Sequence, residues 1–256
     1  MSELRIESWT LPSANLGQEN PLPVIGKAVD LHASVKVDAS LPESERLNLG
    51  WGQPPSLLPY RLQDGFNRAR NPREFQVVVL ENEHLRAAFF PELGGHLWSL
   101  VHKGSGRELL SRNPVFQPCN LALRTAWISG GVEWNIGWTG HWPYTCSPLF
   151  AARHTLPDGT PALRMWEWER VRKVPMQIDA WLPDGSPVLL IRVSIRNPHP
   201  QEIPMYWWSN IAVEETPGTR VLAPADEAIV YNYSQNALAC MTLPKDGMDD
   251  ITYPGR

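Results

Sequence analysis

Twenty-five prolines and 18 glycines punctuate a chain of 256 residues. Proline lacks the N–H that a helix interior needs, and its ring clashes with the preceding turn, so proline at this density breaks long helices and separates short strands. The segments between the prolines carry the strand period. From Val188 to Arg196, Leu189, Ile191, Val193 and Ile195 alternate with Leu190, Arg192, Ser194 and Arg196, apolar on one face and mostly polar on the other. Met176, Ile178, Ala180 and Leu182 alternate with Gln177, Asp179 and Trp181, and Pro183-Asp184-Gly185-Ser186-Pro187 between the two runs supplies hairpin chemistry. Earlier, Phe75–Leu80 and Leu85–Phe90 flank Glu81-Asn82-Glu83, and His96–His102 turns through Lys103-Gly104-Ser105-Gly106 into Arg107–Leu110, a β-meander signal. Pro204–Val213 and Arg220–Ala223 read as further strands. No amphipathic helix of several turns and no internal repeat is visible. The expectation is an all-β chain built as an antiparallel β-sandwich. Residues 1–72 are rich in Pro, Ser, Asn and Gln, with short strand pieces at Leu4–Trp9 and Ala33–Val37. They are expected to form an N-terminal arm of edge strands packed on a sandwich domain of residues 73–256.

Lys plus Arg number 23 against 27 Asp plus Glu, a net charge of −4. A mildly acidic chain lacks the basic footprint that phosphate-backbone binding needs, so no nucleic-acid partner is expected. No run approaches the ~20 apolar residues of a membrane span, and Met1–Asn20 shows no basic segment leading into an apolar one, so neither membrane nor signal peptide is expected. Three cysteines, Cys119, Cys146 and Cys240, are too few and too scattered for a disulfide framework or a zinc motif, which fits a reducing cytoplasm. Phosphate loops, dinucleotide fingerprints and nucleophile elbows are missing, and no cofactor is expected. His96 and His102 with Glu92 could be grouped as metal ligands, but without a dense ligand motif they read as strand histidines, and no metal is expected.

Tryptophan is the unusual component: 12 Trp against 6 Phe and 6 Tyr. Phe fills core volume without a polar N–H to satisfy, whereas Trp suits places where a flat apolar face meets hydrogen-bonding groups. The richest stretch runs from Arg124 to Thr145 and holds Trp127, Gly130, Gly131, Glu133, Trp134, Asn135, Trp138, His141, Trp142 and Tyr144. Indole faces can stack on the C–H surface of a pyranose, while Glu133, Asn135 and His141 can address its hydroxyls and Arg124 can clamp a carboxylate or vicinal hydroxyls. The competing explanation is a glycine-bent loop with Trp134 and Trp142 as core plugs. Glu133 and His141 are the candidate catalytic pair, a carboxyl flanked by apolar neighbours and an imidazole able to exchange protons near neutral pH. A salt bridge from Glu133 to Arg124 or Arg153 is the rival role. Trp166-Glu167-Trp168-Glu169-Arg170 puts Trp166, Trp168 and Arg170 on one face, as a sugar platform or as a cross-strand ladder.

Two blocks resemble a known superfamily. Pro91-Glu92-Leu93-Gly94-Gly95-His96-Leu97-Trp98-Ser99-Leu100 with Gly104–Leu110, and Arg196-Asn197-Pro198 leading to Ile203–Asn210, are similar to galactose mutarotase-like domains. Trp127–Asn135 and Tyr206–Ala212 resemble a bacterial family of unassigned function, whose longer members carry such a domain ahead of tetratricopeptide repeats. The resemblance implies a supersandwich fold, a carbohydrate ligand, and Trp208 and Asn210 on a strand lining the sugar cleft. A helical-repeat region of a longer parent chain is the implied protein partner. Ser209 and Asn210 stand where mutarotases place a catalytic His, and their general-base Glu lies on a strand expected beyond Arg256, so epimerase residues do not carry over. The resulting expectation is a carbohydrate-binding domain, in a sugar-processing setting. The alternatives are a glycoside hydrolase using Glu133 and a second carboxylate (Glu92, Glu214, Glu215 or Asp226), and a non-catalytic interaction module. If the chain is an enzyme, a hydrolase or other carbohydrate-active enzyme is expected ahead of an aldose 1-epimerase.

Overall fold

The computed structural model describes residues 1–24, 34–47, 49–137, 140–217, 219, 222, 225–232 and 235–242. In chain order the elements are β1 (Glu3–Ser13), β2 (Lys36–Val37), the short α1 (Glu43–Arg46), β3 (Asn71–Glu81), β4 (Leu85–Phe90), β5 (His96–His102), β6 (Arg107–Glu108), β7 (Cys119–Ala122) and β8 (Thr125–Trp127). They continue with β9 (Val132–Ile136), β10 (Phe150–Thr155), β11 (Pro161–Glu169), β12 (Val174–Trp181), β13 (Leu190–Ile195), β14 (Trp207–Ile211), β15 (Glu227–Asn232) and β16 (Ala237–Thr242). The fold is all-β. No described helix is long and apolar enough to cross a membrane. Of the expected strand at 220–223, only residue 222 lies within the described residues.

Two compact units divide the chain, residues 1–27 with 54–213, and residues 28–53 with 214–256. The second unit holds a small sheet in the order β15-β16-β2, in which β2 runs parallel to β16. The first unit holds a seven-stranded sheet in the order β1-β3-β4-β5-β9-β14, with β6 beside β5, and a four-stranded sheet in the order β10-β11-β12-β13. The β12–β13 hairpin pairs Met176 with Ile195 and Trp181 with Leu190, as the alternation around the Pro-Asp-Gly-Ser-Pro turn requires. β1 aligns antiparallel to β3 along its whole length, from Glu3 opposite Glu81 to Ser13 opposite Asn71.

Both faces of the seven-stranded sheet are covered. Val78, Leu80, Ala87, Phe89, Leu97, Val132, Trp134 and Ile136 share one core with Leu163, Met165, Met176, Ile178, Ala180 and Leu182 of the smaller sheet and its flank. Phe75, Val77, Val79, Ala88, Phe90 and Trp98 face a second core with Phe116, Ala126, Ile128 and Cys146. A strand buried on both sides is apolar at successive positions, and Val77-Val78-Val79-Leu80 has that composition.

Candidate functional site

β9 begins at a tight backbone approach. Gly131 has φ 66° and a Cβ there would stand 2.3 Å from the Leu97 carbonyl oxygen, so only glycine fits. From that point the strand period assigns the faces. Val132, Trp134 and Ile136 enter the inter-sheet core, so Glu133 and Asn135 point to the opposite face. Antiparallel pairing with β14 sets Asn210 opposite Glu133 and Trp208 opposite Asn135. The remaining members come from outside these strands: Trp127 ends β8, and His141 follows Gly140 in the loop beyond β9.

The centre of the arrangement is the Glu133 carboxylate, whose residue is only 3% exposed. Trp127 Nε1 lies 3.1 Å from both of its oxygens, and His141 Nδ1 and Asn210 Nδ2 lie 2.9 and 3.4 Å from Oε2. Three N–H donors from three segments thus converge on one buried charge, which meets the requirement that a buried carboxylate be hydrogen-bonded. Because an ionised carboxylate only accepts, His141 donates through Nδ1 and its Nε2 is the open ring nitrogen. Among the described residues nothing hydrogen-bonds to that Nε2. The imidazole sits between two indoles, its centroid 5.1 Å from the Trp127 ring and 5.2 Å from the Trp208 ring. Its side chain is 16% exposed, and Trp127, Trp208 and Asn210 are half-buried.

Two buried donors on this face, Asn135 Nδ2 and Trp208 Nε1, have no hydrogen-bond partner among the described residues. Asn135 itself is fully enclosed, with Oδ1 accepting from the Trp142 backbone N–H at 2.7 Å. Trp134 and Trp142 are core residues, the former donating to the Gly95 carbonyl at 2.8 Å.

Arg124 does not join the Glu133 cluster by any hydrogen bond. Its side chain is only 6% exposed, and its guanidinium is held by the Arg61 and Pro143 carbonyls, by Ser147 Oγ and by the Glu19 carboxylate. The Glu133 salt bridges weighed from sequence are replaced by the Trp127, His141 and Asn210 contacts. Trp138 lies outside the described residues. Glu92 is paired with Arg73 at 2.8 Å and accepts from the Gln76 backbone N–H, so it is engaged away from Glu133. His96 bonds the Gly130 carbonyl and His102 bonds Ser105, and no metal-holding cluster of His, Cys, Asp or Glu occurs among the described residues.

A second constellation lies where β10 begins and β11 ends. Phe150, Glu167 and Arg170 line a cavity of about 310 Å³ together with Glu19, Arg124, Tyr144, Ser147, Pro148 and Leu149. Trp166, Glu167 and Arg170 belong to the alternating segment noted in the sequence, whereas Phe150 carries no local signal. The β10–β11 register sets Phe150 opposite Trp166.

The fold is similar to that of a TPR-domain containing protein from Parabacteroides distasonis ATCC 8503, known from its crystal structure, with a TM-score of 0.72 and 21% sequence identity. The match covers 97% of this chain and 38% of that one, so the chain spans well under half the length of its neighbour. At this identity the likeness concerns the fold. Residues 53–249, well over half of the chain, match the family model described as Domain of unknown function (DUF5107), and the chain belongs to that family.

Proposed function

We propose that this chain is a carbohydrate-binding domain of galactose mutarotase-like fold, with its ligand on the Glu133 face of the seven-stranded sheet. The observation that carries this reading is the buried Glu133 carboxylate, ringed by Trp127, His141 and Asn210, beside an imidazole framed by two indoles. Saccharides present C–H faces and hydroxyls in alternation, and a site for them combines aromatic walls with a few fixed donors and acceptors. Trp127 and Trp208 supply the walls. His141 Nε2 and the free valences of Asn210 address hydroxyls, while Glu133 fixes the orientation of the other three. Asn135 and Arg124 serve as positioning residues, one holding the Trp142 backbone and the other tying 61, 143 and 147 together.

A glycan array followed by titration calorimetry tests the reading. The full chain is expected to retain at least one glycan class, and Glu133→Gln and Trp208→Ala are each expected to weaken it about tenfold or more, as loss of a charged hydrogen bond or a stacking face does. An array without binding, or variants that bind as the parent does while remaining folded, would overturn it.

A further inference from the structure

We infer that the ligand of the Glu133 site is an amino sugar, held through its ammonium group; this rests on the carbohydrate reading above and adds the chemical class. An ionised carboxylate accepts and never donates, so it sorts the polarity of every group around it. Trp127 Nε1, His141 Nδ1 and Asn210 Nδ2 all turn their N–H groups to Glu133, at 3.1, 2.9 and 3.4 Å. What two of these side chains have left is then an acceptor. His141 keeps the Nε2 lone pair, and Asn210, its amide orientation fixed by the bond to Glu133, keeps Oδ1. Neither atom has a hydrogen bond among the described residues. Trp127 and Trp208 flank the imidazole, and an indole face is the negative side of the ring quadrupole. The two unpartnered donors of this sheet face, Asn135 Nδ2 and Trp208 Nε1, are enclosed and do not offset these acceptors at the surface. Only the second N–H of Asn210 stands against them.

Charge narrows the class further. No Lys or Arg pairs with Glu133 among the described residues, and His141 is its one titratable partner there. Arg124, the guanidinium nearest in sequence, is closed by Glu19. The site thus joins a buried negative charge to acceptor atoms and π faces. A hydroxyl satisfies one acceptor. An ammonium satisfies both, and it also takes the field of the carboxylate and the attraction of the indoles. On a pyranose it leaves the C–H face free for an aromatic wall. An acetamido group removes that charge, and a uronate is repelled by Glu133. An imidazolium at His141 would cancel the charge and make Nε2 a donor; its signature is equal affinity for neutral and amino glycosides.

The test is titration calorimetry of the full chain near neutral pH. The probes are the methyl glycosides of glucosamine and galactosamine, their N-acetyl counterparts, the methyl glycosides of glucose and galactose, and methyl glucuronide. At least one amino glycoside is expected to bind about tenfold or more tightly than its N-acetyl and neutral counterparts, with the glucuronide weakest. That advantage is expected to shrink as sodium chloride is raised from about 0.05 to about 0.5 M. Glu133→Gln keeps the shape of the side chain and removes its charge. In that variant, with folding checked by its urea midpoint, the preference is expected to fall to within about twofold. Neutral glycosides binding the native chain as tightly as the amino ones overturns this inference and leaves the carbohydrate reading standing; that comparison needs no variant. A preference undiminished in folded Glu133→Gln overturns it as well. So does the failure of both amino glycosides to bind, and an empty glycan array alongside removes the carbohydrate reading with it.

Discussion

The His96 imidazole is enclosed on β5 at 1% exposure, with Nε2 2.6 Å from the Gly130 carbonyl oxygen. A carbonyl only accepts, so Nε2 carries the proton and the ring is held in one neutral tautomer. Burial pushes this histidine below its usual value, against the weaker opposing pulls of the Gly130 carbonyl and the Glu133 charge. The unfolded chain takes up a proton near pH ~6.5, the folded chain only at lower pH. The stability contributed by neutral His96 is therefore fully present above about pH 6.5 and is lost progressively as the pH falls below it. His96→Gln keeps an N–H for Gly130 without a titrating ring. Urea unfolding at about pH 7.5 and 5.5 is expected to show a larger loss of stability for the native chain than for this variant; equal losses would remove His96 from the account.

Pairs across strands do at the level of elements what no single residue does alone. On the solvent face of β11 and β12, Arg164 forks onto Asp179 at 2.7 and 2.9 Å, and Gln177 adds a third donor at 2.8 Å. Burial by itself would push the Asp179 carboxyl up, but the Arg164 and Gln177 hydrogen bonds and the Arg164 charge together hold it below its ordinary value. A depressed carboxyl stabilises the fold above its unfolded value, near pH ~3.9, and that contribution disappears as the pH drops through the folded value. Asp179→Asn is expected to cost about 1–3 kcal/mol at neutral pH. The gap between variant and native, followed by denaturant titration, should narrow below about pH 4. The alternation of 176–182 was legible as a strand, but it could not show that Asp179 on its polar side is 2% exposed, because its cover comes from neighbouring strands.

For the molecule as a whole, residues 1–72 bear on stability through the second core. Trp9, Leu11, Leu16 and Phe66 pack against Phe75, Phe90, Trp98 and Phe116, and β1 closes one edge of the seven-stranded sheet along eleven paired positions from Glu3 to Ser13. Removing them exposes the β3 edge and one side of that core, at roughly 1.5–3 kcal/mol for each large apolar side chain uncovered. A chain beginning at residue 73 is therefore expected to unfold at clearly lower urea than the full chain, or to lose cooperativity. Equal midpoints would mean that the N-terminal region contributes nothing to folding.

The sequence by itself determined the all-β class and most strand positions, since proline density and period-2 alternation act through local sterics and side-chain direction. Leu85–Phe90 and His96–His102 are strands over the residues the pattern marks. It also concentrated attention on Trp127, Glu133, His141, Trp208 and Asn210. What it could not decide was which of the neighbouring polar groups would meet. Arg124 and Glu133 stand nine positions apart, yet the tertiary structure turns Arg124 to Glu19 and the 61, 143 and 147 backbone and side-chain acceptors. Asn210, 77 positions from Glu133, becomes its hydrogen-bond partner. The physical reason is that a buried charge takes whatever donors the strand register delivers to its face, and register is a property of the assembled sheet.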